Sequence, residues 1–268
     1  MSLIAEFYKD AKKEWDRLDI PLCRIEFATT LDLIVTYFSG GERVADIGGG
    51  PGRYTIELLK RGCRATLVEL SPENVAFAKA RVTENDLTAD AFLVGDARDL
   101  SSLRGQHFDG ILALGPLYHL TERSERITFL KDARSLLRPD GILIVAYLNA
   151  WGIARSLLTD APTWFADSGK VELLLTGASF VGARACSGFA ECHWSTPDDA
   201  LAEIHEAGFV VLEEIGAEGF ANGARNELAA IARDSPAAFE QIVALGVVTS
   251  KLPQYRRATD HFLVVGRA

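Results

Sequence analysis

Cysteine is scarce in this chain, and positive charge is outweighed by negative. Four cysteines, at positions 23, 63, 186 and 192, are too few and too scattered for a disulfide framework, so reduced thiols are expected. Cys186, Cys192 and His193 could be grouped as metal ligands, but they lack a second closely spaced pair, and no metal is expected. Lys and Arg number 28 against 37 Asp and Glu, a formal net charge of −9. Nucleic-acid binding draws on clustered cations, so such a partner is disfavoured. No apolar run approaches the ~18 residues of a membrane span. The opening MSLIAEFYKDAKKEWDRLD is charged and amphipathic, unlike a secretory leader, which sets the expectation of a cytoplasmic protein. Internal repeats and low-complexity segments are also missing. What remains is 268 residues, 48% hydrophobic and 24% charged, a balance that excludes disorder and suits one globular domain with an appended lobe.

The informative stretch is VADIGGGPG, from Val44 to Gly52. Val44, Ala45 and Ile47 read as the end of a buried strand, and the helical run Tyr54 to Arg61 stops at Gly62. Between them lies a glycine turn that lets backbone approach a ligand without a Cβ in the way. The helix start adds free N–H groups and partial positive charge suited to an anion. A dinucleotide fingerprint needs its third glycine at the sixth position, where Arg53 stands, so a nicotinamide oxidoreductase is disfavoured. A second strand, Arg64 to Leu70, ends in an acid, and Glu69 lies twenty-one residues beyond Gly48. In nucleotide-binding βαβ units a carboxylate so placed accepts hydrogen bonds from ribose hydroxyls, and it repels a 2′-phosphate.

Asp46, Gly48, Gly50 and Gly52 form a D-x-G-x-G-x-G pattern that resembles motif I of the class I S-adenosylmethionine-dependent methyltransferases. The resemblance implies a Rossmann-like, doubly wound α/β fold: a seven-stranded, mostly parallel sheet with an antiparallel last strand. It implies S-adenosylmethionine as cofactor, held by Asp46, Gly48, Gly49, Gly50, Gly52, Glu69 and Leu70. Asp96 and Ala97, after the third strand Ala91 to Val94, match the acid and small residue that hold adenine in the family. Leu114 and Gly115 end the fourth strand, Phe108 to Leu114, and Gly-Pro-Leu-Tyr-His-Leu from Gly115 to Leu120 resembles the ubiquinone-biosynthesis-like small-molecule group. Tyr118 and His119 are therefore the catalytic candidates, with His119 as general base or as a residue that orders the loop. A helix ahead of motif I often closes over the cofactor in this family, which makes Tyr8 and Trp15 candidate lid residues. The wording Leu-Arg-Pro-Asp-Gly-Ile-Leu before the fifth strand, Ile142 to Leu148, is also shared.

The organisation expected is a helical cap over 1–40, a core over 41–148 and 196–268, and an aromatic-rich, helical or irregular lid inserted over 149–195, with no clear strand period, shaping an acceptor pocket. A further, largely helical insertion is expected from about Asn226 to Arg257, before a final strand over Asp260 to Gly266. The function expected is methyl transfer to an O, N or C atom of a small molecule. A protein or RNA acceptor, or a binding protein without chemistry, remains open.

Overall fold

The apolar runs expected as strands lie side by side in one mixed sheet. In the computed structural model, which describes residues 3–181 and 191–268, two short helices, α1 (Leu3–Phe7) and α2 (Ala11–Arg17), precede the longer α3 (Pro21–Tyr37). Strand and helix then alternate: β1 (Arg43–Ile47), α4 (Arg53–Lys60), β2 (Arg64–Glu69), α5 (Pro72–Glu84), β3 (Ala91–Val94), β4 (Phe108–Ala113), α6 (Arg123–Leu136) and β5 (Leu137–Asn149). Parallel neighbours joined by helices need both sheet faces covered, and β1, β2 and β4 are accordingly buried along nearly their whole length. Ser71 caps α5, its hydroxyl accepting from the Asn74 amide at 3.2 Å, with Pro72 at the first helical position.

Within the sheet, β3, β2, β1, β4 and β5 run parallel in that order. After α7 (Ala150–Asp160) and α8 (Ser168–Thr176) come two short strands, β6 (Ala178–Phe180) and β7 (Cys192–Ser195). Helix α9 (Pro197–Glu206) and β8 (Val210–Gly216) lead to α10 (Arg225–Asp234), α11 (Pro236–Thr249) and the last strand β9 (His261–Arg267). Strand β9 lies antiparallel between β5 and β8, as expected of the final strand. Strands β7 and β6 bring the sheet to nine, because β7 pairs with the very end of β5 at Leu148 and Asn149.

One element departs from its expected bounds. Strand β5 begins at Leu137, earlier than Ile142, and Asp140 takes a positive φ of 62° within it. The segment from 149 to 195 is largely helical where described, with Ile153, Leu157 and Leu174 buried in the same cluster as Trp194. Its apolar stripe is carried by aromatic and aliphatic residues at mixed spacing, which hides the helical period. Gly182, Gly188 and Phe189, part of the pattern expected of that segment, lie outside the described residues, as does Cys186. The helices α10 and α11 occupy the expected insertion and pack Leu228, Phe239 and Val243 against Leu22 and Ile25 of α3. Among the described residues no helix is long and apolar enough to cross a membrane.

Candidate functional site

The carboxyl ends of the parallel strands open into one cavity of about 1170 Å³, at the edge where open α/β sheets take their ligands. The glycine turn forms one wall. Gly48, Gly50 and Gly52 have φ of 70°, 54° and 86°, a region that disfavours any side chain. A Cβ on Gly48 would stand 2.6 Å from the Pro116 ring, whereas one on Gly50 would meet nothing within 4 Å, so the backbone of Gly50 faces open space. Asp46 lies beneath the turn, 1% exposed, and accepts the Thr55 hydroxyl at 2.6 Å. Burial pushes its carboxyl up to about 6.

Glu69 closes the turn from the next strand. Its two oxygens accept from the backbone N–H of Gly50 at 3.0 Å and of Ser71 at 2.8 Å. Burial raises its affinity for a proton, and the backbone donors oppose that. Each carboxylate oxygen keeps a second lone pair, enough to accept two hydroxyls as well. Beside it the buried Asn74 donates through Nδ2 to the Tyr8 carbonyl at 3.1 Å, while its Oδ1 has no hydrogen-bond partner. An orphaned acceptor lining a cavity is what a ligand hydroxyl or amine can satisfy. At the tip of β3, Asp96 and Ala97 line the same cavity. Asp96 is paired with Arg98 at 2.5 Å, and that hydrogen bond holds its carboxyl below the usual range.

Leu70, Leu114, Gly115, Tyr118, His119 and Tyr8 also line the cavity. Gly52 and Trp15 do not. Gly52 serves as the residue before α4, where a Cβ would come within 2.9 Å of Ala78. Trp15 is turned into the body of the protein, its ring covered by the guanidinium groups of Arg53 at 4.9 Å and Arg81 at 4.6 Å. Arg53 also donates to the Trp15 carbonyl at 3.1 Å, so the residue that spoils the dinucleotide fingerprint fastens α2 to α4. Trp15 thus anchors the N-terminal helices rather than facing a ligand.

His119 sits between two partners. Its Nδ1 is 2.6 Å from the Glu191 carbonyl, which can only accept, so Nδ1 carries the proton and Nε2 accepts the Tyr8 hydroxyl at 2.8 Å. Burial lowers the His119 pKa, which keeps the ring neutral. In this arrangement the Nε2 lone pair is occupied, and proton removal from another molecule requires the Tyr8 hydroxyl to leave. Cys192 and His193 are successive residues of β7 and so point to opposite faces. The Ser179 hydroxyl lies 2.9 Å from His193 Nδ1, so the imagined metal set is not assembled among the described residues.

One group in the cavity escaped the reading of the sequence. His261, at the start of β9, holds Glu218 Oε1 at 2.6 Å through Nδ1, with Glu26 Oε2 at 3.9 Å. Arg17 donates to Glu26 at 3.1 Å. Ligand-type atoms of Glu26, Glu218 and His261 lie within 4.8 Å of one another, but the guanidinium makes the set an ion network of two acids and two bases. Burial alone would lower the His261 pKa; the carboxylates of Glu26 and Glu218 outweigh it and push it up to about 9. A group raised in the folded state contributes stability that is complete below its unfolded pKa of roughly 6.5 and lost as pH rises through its folded value. The unfolding free energy is therefore expected to fall by up to about 3 kcal/mol between pH 6.5 and 9. Denaturant titrations across that range, showing the slope in the native chain and not in His261→Gln, check this.

The family profile described as a methyltransferase domain matches residues 44–141. A ubiquinone biosynthesis O-methyltransferase of Azorhizobium caulinodans is 32% identical over 182 residues, 66% of this chain and 62% of that protein. The chain spans about three fifths of the length of the first curated relatives it matches. Among solved structures, the Burkholderia thailandensis 1,6-didemethyltoxoflavin-N1-methyltransferase, with its acceptor and S-adenosylhomocysteine bound, superposes with a TM-score of 0.57 at 17% identity, covering 97% of this chain and 83% of that one. The cyclase SpnF superposes with a TM-score of 0.56 at 21% identity, covering 90% and 80%. These two likenesses concern the fold alone. Residues 44–141 thus match a methyltransferase domain, and the sheet order and the glycine turn around them accompany that match.

Proposed function

We propose that the protein binds S-adenosylmethionine and transfers its methyl group to a small-molecule acceptor. The observation that carries the reading is the convergence, in one cavity, of the glycine turn, Glu69 with the orphaned Asn74 Oδ1, and the Asp96–Ala97 tip of β3. Glu69 and Asn74 suit the ribose, Asp96 and the Ala97 amide suit adenine, and the open face of Gly50 suits the amino-acid end. Asp46 supports the turn from below. When bound, the cofactor supplies a methyl group already activated on a sulfonium. The chain's own residues then have to position the acceptor and exclude water, and correct positioning is worth about 7–11 kcal/mol. Tyr8, Phe7 and Ile4 of the first helix and its exit line the cavity beside His119, which suits them to the second task.

A cavity of this size exceeds the ~300–1,000 Å³ usual for one ligand, which leaves room for an acceptor beside the cofactor. The 1,6-didemethyltoxoflavin bound by the Burkholderia protein, and the ubiquinone biosynthesis for which the Azorhizobium protein is named, support that class. Calorimetry with S-adenosylhomocysteine, followed by labelled methyl transfer to metabolite pools and, in parallel, to protein and RNA, tests the reading. No uptake of the cofactor defeats it, and label only in protein or RNA defeats its acceptor class. For His119→Ala, loss of the bond that seats Tyr8 is expected to lower turnover about tenfold, the equivalent of ~1.4 kcal/mol, with cofactor affinity changed much less. Turnover equal to that of the native chain removes His119 from the site's work.

A further inference from the structure

We infer that the part of the cavity beyond Tyr118 is an acceptor subsite for an ionised aromatic hydroxyl, with His261 holding the reacting oxygen and Glu218 as its positioning residue. This rests on the reading above and names its substrate class.

The subsite is built where three strand ends meet. His261 pairs across the sheet with Leu148 at the tip of β5, which in turn pairs with Trp194 of β7. Tyr118 stands between the two histidines, its ring 4.8 Å from that of His119 and 6.4 Å from that of His261. Glu218 grips His261 twice: Oε1 takes the ring Nδ1 at 2.6 Å and Oε2 accepts the His261 backbone N–H at 3.2 Å. That double hold fixes the imidazole, and Nε2 has no hydrogen-bond partner among the described residues. The second open group is the Trp194 indole nitrogen, which is buried, without a partner, and part of a ring that lines the same cavity.

Both open groups donate. Whatever fills the space must therefore accept, which an ammonium cannot do and an oxygen can. Leu148, Ile153, Leu157 and the Trp194 ring provide apolar walls for a flat body around that oxygen. The groups facing His261 are Glu26 from α3, Arg17 from α2, Glu218 beyond β8, Asp260 on its own segment and the Tyr118 phenol. The two glutamates keep the imidazole protonated at neutral pH. A protonated donor favours an ionised hydroxyl over a neutral one. No base is then needed at the moment of transfer. The acceptor proton goes to solvent on binding, the oxygen lone pair forms the new O–CH₃ bond, and the pair of the broken C–S bond stays on sulfur as a neutral thioether. His261 keeps its proton throughout.

The test uses the whole protein loaded with S-adenosylhomocysteine and a chromogenic nitrophenol whose anion absorbs in the visible. At a pH below the nitrophenol's own pKa, at least tenfold more coloured anion is expected for bound probe than in buffer. His261→Gln is expected to abolish that excess, and Glu218→Gln to reduce it and to lower the pH at which the His261 ring titrates by NMR. Trp194→Phe, which removes only the N–H, is expected to keep the excess and weaken binding about tenfold. Nitrophenol that fails to bind, binds un-ionised, or stays ionised in His261→Gln overturns the assignment, as does tighter binding of a benzylamine. Failure of S-adenosylhomocysteine to bind counts against the proposed function instead, since the cofactor is measured separately by calorimetry in each variant.

Discussion

Replacing Glu69 with alanine is expected to weaken S-adenosylhomocysteine binding about 100-fold, close to 3 kcal/mol, with the fold retained. Two contributions lead to that size. A carboxylate that accepts two ribose hydroxyls supplies charge-assisted hydrogen bonds of about 1.5–3 kcal/mol each, net of the competing water. The same carboxylate also holds the Gly50 and Ser71 amides, so its loss slackens the turn and removes acceptors from the Ser71 end of α5. Glu69→Gln separates the two, because the amide oxygen still accepts one backbone N–H while the charge is gone. Calorimetry should place Glu69→Gln between the native chain and Glu69→Ala. Asp96→Ala is expected to cost less than Glu69→Ala, since Asp96 is already neutralised by Arg98 and its side chain is a third exposed. Unchanged affinity in Glu69→Ala would remove the acid from the cofactor site.

The parts of this site that could be read from the sequence are those made of near neighbours. A glycine turn, the acid at the next strand's tip and Asp96 after β3 are each local devices with fixed spacing, and Glu69 reaches Gly50 across a single βαβ unit. The antiparallel last strand was implied by the family resemblance and not by spacing, because the insertion between β8 and β9, which holds α10 and α11, is long enough for a crossover. The His261–Glu218 pair is different in kind. It joins positions 43 residues apart around that insertion, and Glu26 and Arg17 arrive from the opposite end of the chain, so no window of sequence contains the network. Trp15 shows the converse limit. Helical periodicity marks it as belonging to an inward face, but only the packing of Arg53 and Arg81 on its ring decides that the face meets protein and not ligand.

Arg126→Ala is expected to destabilise the fold by about 3–5 kcal/mol, the range for stranding one member of a buried ion pair. Arg126 and Glu203 have side chains only 3% and 2% exposed, and join α6 to α9 through contacts of 2.8 and 3.1 Å. The other guanidinium nitrogen donates to the Leu120 and Thr121 carbonyls at 2.8 and 3.1 Å, directly after the turn that carries Tyr118 and His119. The substitution therefore leaves a buried carboxylate with only the more distant Arg123, at 3.9 Å, and frees the loop behind the catalytic candidates. A melting temperature lower by roughly 10 °C is expected for a chain of this length. The double variant Arg126→Met, Glu203→Leu removes both charges and fills the volume, so it should recover most of that loss, because the penalty lies in the orphaned charge rather than in the missing attraction. Its turnover should nevertheless stay below that of the native chain, since no side chain then holds the two carbonyls. Equal melting temperatures for the single and double variants would place the cost in packing. Native turnover in the double variant would show that the loop keeps its shape without the guanidinium.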